Sequence, residues 1–170
     1  MCKRSVGKGN LAALPQSIAF CVRPEKRCII LSEEDISMKR VVICEPVRTA
    51  VGGYGGMYRD VAATQLGRTV IEAVLARTGI DPMRIDDVIF GQCYPNGEAP
   101  AIGRVASLDA GLPITIPGMQ IDRRCGSGLQ AVMDAAMRVQ TGVASIVLAG
   151  GAESMSRAEY YTEDMRWGTG

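Results

Sequence analysis

The feature that most constrains the fold is an alternation of short apolar segments with longer segments whose apolar residues recur at helical spacing. Four apolar segments are typical of strands, at residues 41–44, 87–90, 119–122 and 145–149. Between them lie three segments with helical periodicity, at residues 60–77, 102–110 and 125–140. Strands joined by helices favour right-handed crossovers and a parallel sheet covered on both faces. The sequence therefore predicts an α/β fold, with a mostly parallel sheet flanked by helices.

The helix boundaries are also predicted from local signals. Asp60 is a candidate N-cap for the first helix, and Gly79 stands where a left-handed C-terminal residue is common. The apolar face expected for this helix comprises Leu66, Val70, Ile71, Val74 and Leu75. The face expected for the third helix comprises Leu129, Val132, Met133 and Ala136. Both faces are expected to pack against the sheet.

The regular pattern does not extend over all 170 residues. Residues 1–37 show no clean periodicity, and we expect them to be a disordered leader. A purine-rich coding stretch at residues 32–35 would resemble a ribosome-binding site just before Met38, so we expect Met38 to be the natural start. Residues 38–156 carry the strands and helices, whereas residues 157–170 are polar and irregular.

Composition excludes several classes of function. The chain has no histidine, which removes Ser-His and Cys-His dyads and histidine-ligated metals from within it. A net charge of +1 without basic runs does not favour nucleic acid, and no apolar stretch is long enough to cross a membrane. The six cysteines form no C-x-x-C pair, so a zinc site is not expected. We expect them to be free thiols in a reducing cytoplasm. They are Cys2, Cys21, Cys28, Cys44, Cys93 and Cys125.

Cys125 is the candidate nucleophile. It lies between the end of a predicted strand and the first turn of a helix, where ligands bind in open parallel sheets. Unpaired N–H groups at a helix N-terminus stabilise a thiolate. Gly126 and Gly128 have no side chains, so a substrate can approach the backbone closely. A thiolate in this position is suited to accepting an acyl group from a thioester. The alternative interpretation is an inert buried cysteine.

The same residues also match a dinucleotide-binding pattern. Gly126, Gly128 and Ala131 have the G-x-G-x-x-A spacing, and Glu153 falls where a ribose-binding acid would lie. The pattern follows the third strand here, whereas it normally follows the first. The glycines at residues 52–56 lack the Lys-Ser/Thr ending of a phosphate-binding loop, and those at residues 150–151 line the cysteine's pocket or make a turn. Nucleotide binding stays open as a less favoured alternative.

Three segments together carry a family resemblance: Glu45-Pro46-Val47-Arg48-Thr49-Ala50-Val51-Gly52, then residues 121–132 around Arg123-Arg124-Cys125-Gly126-Ser127-Gly128, then residues 148–156 ending in Glu153-Ser154-Met155-Ser156. In this order they resemble the amino-terminal half of a thiolase, and the residues of the motifs are most similar to those of the acetyl-CoA acetyltransferase branch. The resemblance covers residues 38–170.

The resemblance implies a fold, a mechanism and site residues. It implies a thiolase-like layered fold, with residues 38–156 as the amino-terminal domain and residues 157–170 as the start of a truncated loop region. Cys125 matches the family's nucleophile, which takes an acyl group from an acyl-CoA, and Gly126, Gly128 and Met155 match substrate-binding positions. Coenzyme A thioesters would be substrates, with no metal or redox cofactor. A homodimer or homotetramer is expected for the full-length form, in the cytoplasm and in fatty acid metabolism.

The family's second catalytic cysteine, its histidine and its oxyanion asparagine belong to a carboxy-terminal half that this sequence does not contain. We therefore expect the 170-residue chain not to turn over alone. A non-catalytic protein that uses a thiolase half as a dimerisation surface remains an alternative. A ketoacyl synthase shares the fold and the cysteine, but the residues around Cys125 favour a thiolase over it. The direction of the reaction, synthesis of acetoacetyl-CoA or thiolysis of a 3-ketoacyl-CoA, stays open.

Overall fold

A computed structural model describes residues 19–21, 28–30, 38–163 and 165–168. The chain forms two compact units, Met1–Met38 and Lys39–Gly170. In the first unit, β1 (Ala19–Cys21) pairs with β2 (Cys28–Ile30) in antiparallel register. The rest of the expected leader lies outside the described residues, and the natural start at Met38 stays a prediction.

The second unit is built on a three-stranded parallel sheet. Its strands are β3 (Asp87–Gly91), β4 (Gly118–Ile121) and β5 (Val147–Gly151), in the order β4-β3-β5. Every residue of β3 is buried, as expected of a central strand covered on both faces. Gly91 lies opposite Ile121 on one side and Gly151 on the other, so the three strands end side by side. Three of the four predicted strands are confirmed to within two residues.

Helices cover both faces of this sheet. They are α1 (Ala63–Thr78), α2 (Ile102–Asp109) and α3 (Ser127–Gln140). Val88 and Phe90 belong to the core beneath α1 and α2, whereas Ile89 belongs to a second core with the small residues of α3. This alternation along β3 confirms the α/β fold with flanking helices. Across the part of the chain that the structure describes, no helix is long and apolar enough to span a bilayer.

The strand predicted at residues 41–44 is wrong. These residues form no strand, and Val42 and Ile43 are 67% and 75% exposed. The segment and β5 both line a cavity of about 910 Å³. A strand needs backbone groups within hydrogen-bonding distance of a neighbouring strand, and among the described residues no backbone group bonds to residues 41–44. At its start, Lys39 donates its N–H to the carbonyl of Gln140 at 3.0 Å.

The first helix begins later than predicted. Asp60 is not its N-cap: α1 starts at Ala63, and the Gln65 side chain accepts the N–H of Ala62 at 3.0 Å. The carboxylate of Asp60 instead accepts from Arg59 at 3.2 Å. The predicted end is confirmed, because Gly79 has a φ of +59° and donates its N–H to the carbonyl of Leu75 at 2.9 Å.

The face of α3 against the sheet also differs from the prediction. The structure buries Ala131 and Ala135 against Ile89, while Leu129 and Met133 are 67% and 49% exposed. Small side chains let α3 approach β3 closely. The face of α3 that packs on the sheet is therefore the one with the alanines, next to the face that carries the larger apolar residues. The larger apolar side chains of α3 therefore point away from this core.

Candidate functional site

A cavity of about 370 Å³ lies at the carboxyl ends of the three parallel strands. Its walls come from the ends of β3 and β5 and from the turn between β4 and α3. The lining residues are Gly91, Gln92, Cys93, Arg124, Cys125, Ser127, Gly128, Gly151, Ala152 and Glu153. The cavity occupies the edge of the sheet at which open α/β folds bind ligands.

Cys125 is held on a tight turn in front of α3. Arg124 has a φ of +50°, a conformation that costs a non-glycine residue about 1 kcal/mol or more. The Asp122 carboxylate accepts the N–H of Arg124 at 2.8 Å, and Gly126 donates its N–H to the carbonyl of Arg123 at 3.1 Å. Cys125 is exposed at the start of the helix, so the burial assumed in the alternative interpretation is wrong, while the reactivity of the thiol stays a prediction.

Ser127 stabilises this turn from below. Its side chain is buried, with 3% of the residue exposed. The hydroxyl accepts the N–H of Arg123 at 2.8 Å and donates to the carbonyl of Arg124 at 2.6 Å. Arg123 and Arg124, the two residues before Cys125, are thereby bonded to the first turn of α3. Sequence analysis did not single out Ser127, although a serine at a helix start is a known capping signal.

Arg124 connects the turn to the loop that follows β3. Its guanidinium donates to the carbonyl of Cys93 at 3.0 Å and pairs with the Asp122 carboxylate at 3.0 Å. It also lies over the ring of Tyr94, 6.0 Å from the centroid. Asp122 therefore balances part of the positive charge of Arg124. The guanidinium also holds the backbone of the loop after β3 and contributes positive potential at the cavity.

Glu153 fixes the same loop from the other side. Its carboxylate accepts the N–H of Cys93 at 2.7 Å and that of Tyr94 at 3.3 Å. Burial raises the pKa of the Cys93 thiol, and the hydrogen bond and charge of Glu153 raise it further, while Ser127 opposes the shift. Since both carboxylate oxygens already accept backbone N–H groups, the geometry does not present Glu153 as a free ribose-binding acid.

Gln92 is the second residue that sequence analysis missed. It is 2% exposed, it lines the cavity, and its Oε1 has no hydrogen-bond partner among the described residues. A buried amide oxygen without a partner is costly and points to a group that binds beside it. No sequence signal marks this glutamine, because its burial follows from the pairing of β3 and β4.

Two glycines shape the cavity in different ways. A Cβ on Gly91 would lie 2.5 Å from the carbonyl carbon of Ser127, so only glycine lets β3 and α3 touch here. A Cβ on Gly128 would meet nothing within 4 Å, because that position faces open space. Gly128 thus leaves room beside Cys125.

The predicted site residues are only partly brought together. Cys125 and Gly128 line the cavity, and Gly126 lies in the turn between them. Met155 is 44% exposed and lines the larger cavity beside β5 instead. Its role in substrate binding stays a prediction. Within the described ranges, no group of three or more Cys, Asp or Glu side chains is placed to hold a metal ion.

A family model and individual known proteins match the same part of this chain. The family model described as "Thiolase, N-terminal domain" matches residues 41–170. A probable acetyl-CoA acyltransferase of Staphylococcus aureus (strain NCTC 8325) is 40% identical over 131 residues, covering 77% of this chain and 33% of that protein. An acetyl-CoA acetyltransferase of Cupriavidus necator is 44% identical over 131 residues, and the match again covers 77% of this chain and 33% of that protein.

The crystal structure of the Bacillus anthracis acetyl-CoA acetyltransferase superimposes with a TM-score of 0.76 at 40% identity. The match covers 79% of this chain and 34% of that one. The chain thus spans about a third of the length of the relatives it matches.

Proposed function

The chain belongs to the thiolase family by its amino-terminal domain, and on that basis we propose that Cys125 accepts the acyl group of an acyl-CoA as a thioester. The observation that carries the proposal is the exposed Cys125 thiol at the first turn of α3, inside the cavity at the ends of the parallel strands.

The chemistry of this step needs a thiolate and room for an acyl group. The sulfur of Cys125 attacks the carbonyl carbon, a new S–C bond forms, and coenzyme A leaves as the old S–C bond breaks. The N-terminus of α3 favours negative charge on the sulfur and on the carbonyl oxygen. The open space at Gly128 takes the acyl group, and the amide of Gln92 is available to bond it.

The second half of the reaction would use groups outside this sequence. The acyl group passes to a second acetyl-CoA in synthesis, or arises from a 3-ketoacyl-CoA in thiolysis, and either direction needs a base. The 170 residues contain no histidine to supply it. We propose that this chain accepts an acyl group and does not complete a turnover by itself.

The remaining expectations belong to the same proposal. Coenzyme A thioesters are the substrates, and no resident metal or redox cofactor takes part. A homodimer or homotetramer of the full-length form, in the cytoplasm, is the proposed assembly. The scattered cysteines, which form no C-x-x-C pair, support a reducing compartment.

One observation favours a second candidate function, that of a non-catalytic partner that binds through this domain. Leu129, Met133 and Met137 are 67%, 49% and 50% exposed, and their spacing of four residues places them on one stripe of α3. Exposed apolar stripes are typical of surfaces that bind another protein.

The test of the proposed function is a single acylation. The purified chain is incubated with acetyl-CoA, and its intact mass and tryptic peptides are measured. We expect one acetyl group on the peptide of Cys125, its absence in Cys125→Ala, and normal acetylation in Cys44→Ser, since Cys44 is exposed and lies outside the cavity. A chain that takes no acetyl group but forms a defined dimer would support the non-catalytic alternative.

A further inference from the structure

Two cysteines line the cavity, and the proposed acyl transfer uses only one of them. Cys93 follows β3 and Cys125 follows β4, and these strands are paired with Gly91 opposite Ile121. Cys93 therefore lies two residues beyond a paired position and Cys125 four residues beyond its partner position. The guanidinium of Arg124, the residue next to Cys125, donates to the carbonyl of Cys93 at 3.0 Å. The two loops that carry the thiols are thus bonded to each other.

The two thiols differ in access and in surroundings. Cys125 is exposed, whereas Cys93 is half-buried and its backbone N–H donates to Glu153 at 2.7 Å. An oxidant from solution therefore reaches Cys125 first. Gln92, whose buried Oε1 is unpartnered among the described residues, lines the same cavity and is available to accept a hydroxyl on an oxidised sulfur.

We propose that Cys93 is the resolving thiol of Cys125, so that hydrogen peroxide converts the pair into a reversible disulfide across the cavity. Cys125 acts first. Its thiolate attacks one oxygen of the peroxide, an S–O bond forms, the O–O bond breaks, and the released hydroxide takes a proton as water. The sulfur is oxidised to a sulfenic acid while the peroxide is reduced.

Cys93 then closes the bridge. Its sulfur attacks the sulfenic sulfur of Cys125, and its proton passes to the Glu153 carboxylate, which accepts the backbone N–H of the same cysteine at 2.7 Å. The S–O bond breaks and the hydroxide leaves with a proton as water. Two thiols and one peroxide give one disulfide and two waters. The bridge withdraws Cys125 from acyl transfer and protects it from irreversible oxidation.

The test treats the full purified chain with equimolar hydrogen peroxide and maps its disulfides without reduction. Trypsin cleaves after Arg84, Arg104, Arg124 and Arg138, so the two thiols lie on separate peptides, residues 85–104 and 125–138. We expect these two peptides to be linked, with the mass of two hydrogens lost, and dithiothreitol to restore both thiols. This outcome does not depend on acetylation, which is measured separately on the reduced protein.

Cys93→Ser is the informative variant. Without the resolving thiol, Cys125 should proceed to the sulfinic acid, and the fraction that dithiothreitol recovers should fall by about tenfold. Cys44→Ser, which removes an exposed cysteine outside the cavity, should behave as the unmodified chain. Sulfinic acid at Cys125 in the unmodified chain, or a disulfide from Cys125 to any other cysteine, would overturn the proposal.

Discussion

Glu153 accepts the backbone N–H of Cys93 at 2.7 Å, a contact between residues 60 positions apart in the sequence. The same carboxylate accepts the N–H of Tyr94, so one side chain after β5 holds the loop after β3. This loop forms one wall of the cavity in front of Cys125. The shape of the candidate site therefore depends on a carboxylate that is bonded to the backbone of the loop after β3.

The first prediction concerns this carboxylate. Glu153→Ala removes two hydrogen bonds to a charged acceptor and should lower the free energy of unfolding by about 2 kcal/mol. The loosened loop should also slow the acetylation of Cys125. Urea unfolding and intact-mass kinetics measure the two effects. Glu159→Ala, which removes a similar bond to Gly97 at an exposed position, should have little effect on acetylation. Equal acetylation rates in both variants would contradict the role given to Glu153.

The second prediction compares two glycines of the cavity. Gly91→Ala should destabilise the chain by about 1–3 kcal/mol, because its Cβ would lie 2.5 Å from backbone of Ser127. Gly128→Ala should not destabilise it, because the position is helical and faces open space. The added methyl group should nevertheless slow acetylation by narrowing the acyl position. Denaturant melts and acetylation rates of both variants check this, and a destabilised Gly128→Ala would be inconsistent with the described packing.

The third prediction concerns a charge pair beneath the sheet. Arg138 of α3 donates to Asp87 of β3, whose side chain is only 9% exposed. Arg138→Met leaves this carboxylate buried without a cation, and we expect a loss of about 3 kcal/mol in urea unfolding. Arg59→Met breaks an exposed pair with Asp60 and should cost less than about 1 kcal/mol. Similar losses in the two variants would refute the distinction.

The fourth prediction is a dependence of stability on pH. Asp86 accepts the backbone N–H of Ser145 at 2.6 Å and of Ile146 at 3.1 Å, and these bonds hold its pKa below the ordinary value of 3.8. Because the unfolded chain then binds the proton more readily, the stabilisation is present above the ordinary value and is lost as the pH falls through the lower, folded pKa.

Thermal melts between neutral pH and about pH 2 measure this effect. The difference in Tm between the unmodified chain and Asp86→Asn should be largest near neutral pH and shrink in acid. Glu163→Gln, at an exposed carboxyl, is measured alongside as the matched variant. A difference that stays constant across the range would argue against the assignment to Asp86.

Local signals in the sequence determined the order of the elements and the position of Cys125, the candidate nucleophile. Alternating apolar and helical patterns predicted β3, β4, β5 and their helices, because burial on both faces of a sheet leaves a mark in each segment. Gly79 predicted the end of α1, because few residues adopt a positive φ. Cys125 was predicted at the turn between strand and helix from its sequence position alone, and the family resemblance around it is confirmed.

Only the tertiary structure decided which distant residues meet. The apolar residues 41–44 have the composition of a strand and form none, because pairing depends on a neighbour at hydrogen-bonding distance. The packed face of α3 was set by how closely Ala131 and Ala135 approach Ile89. Gln92, Cys93 and Glu153 reach the cavity because three parallel strands end together. Their distances are set by sheet register, a long-range property that no local stretch of sequence encodes.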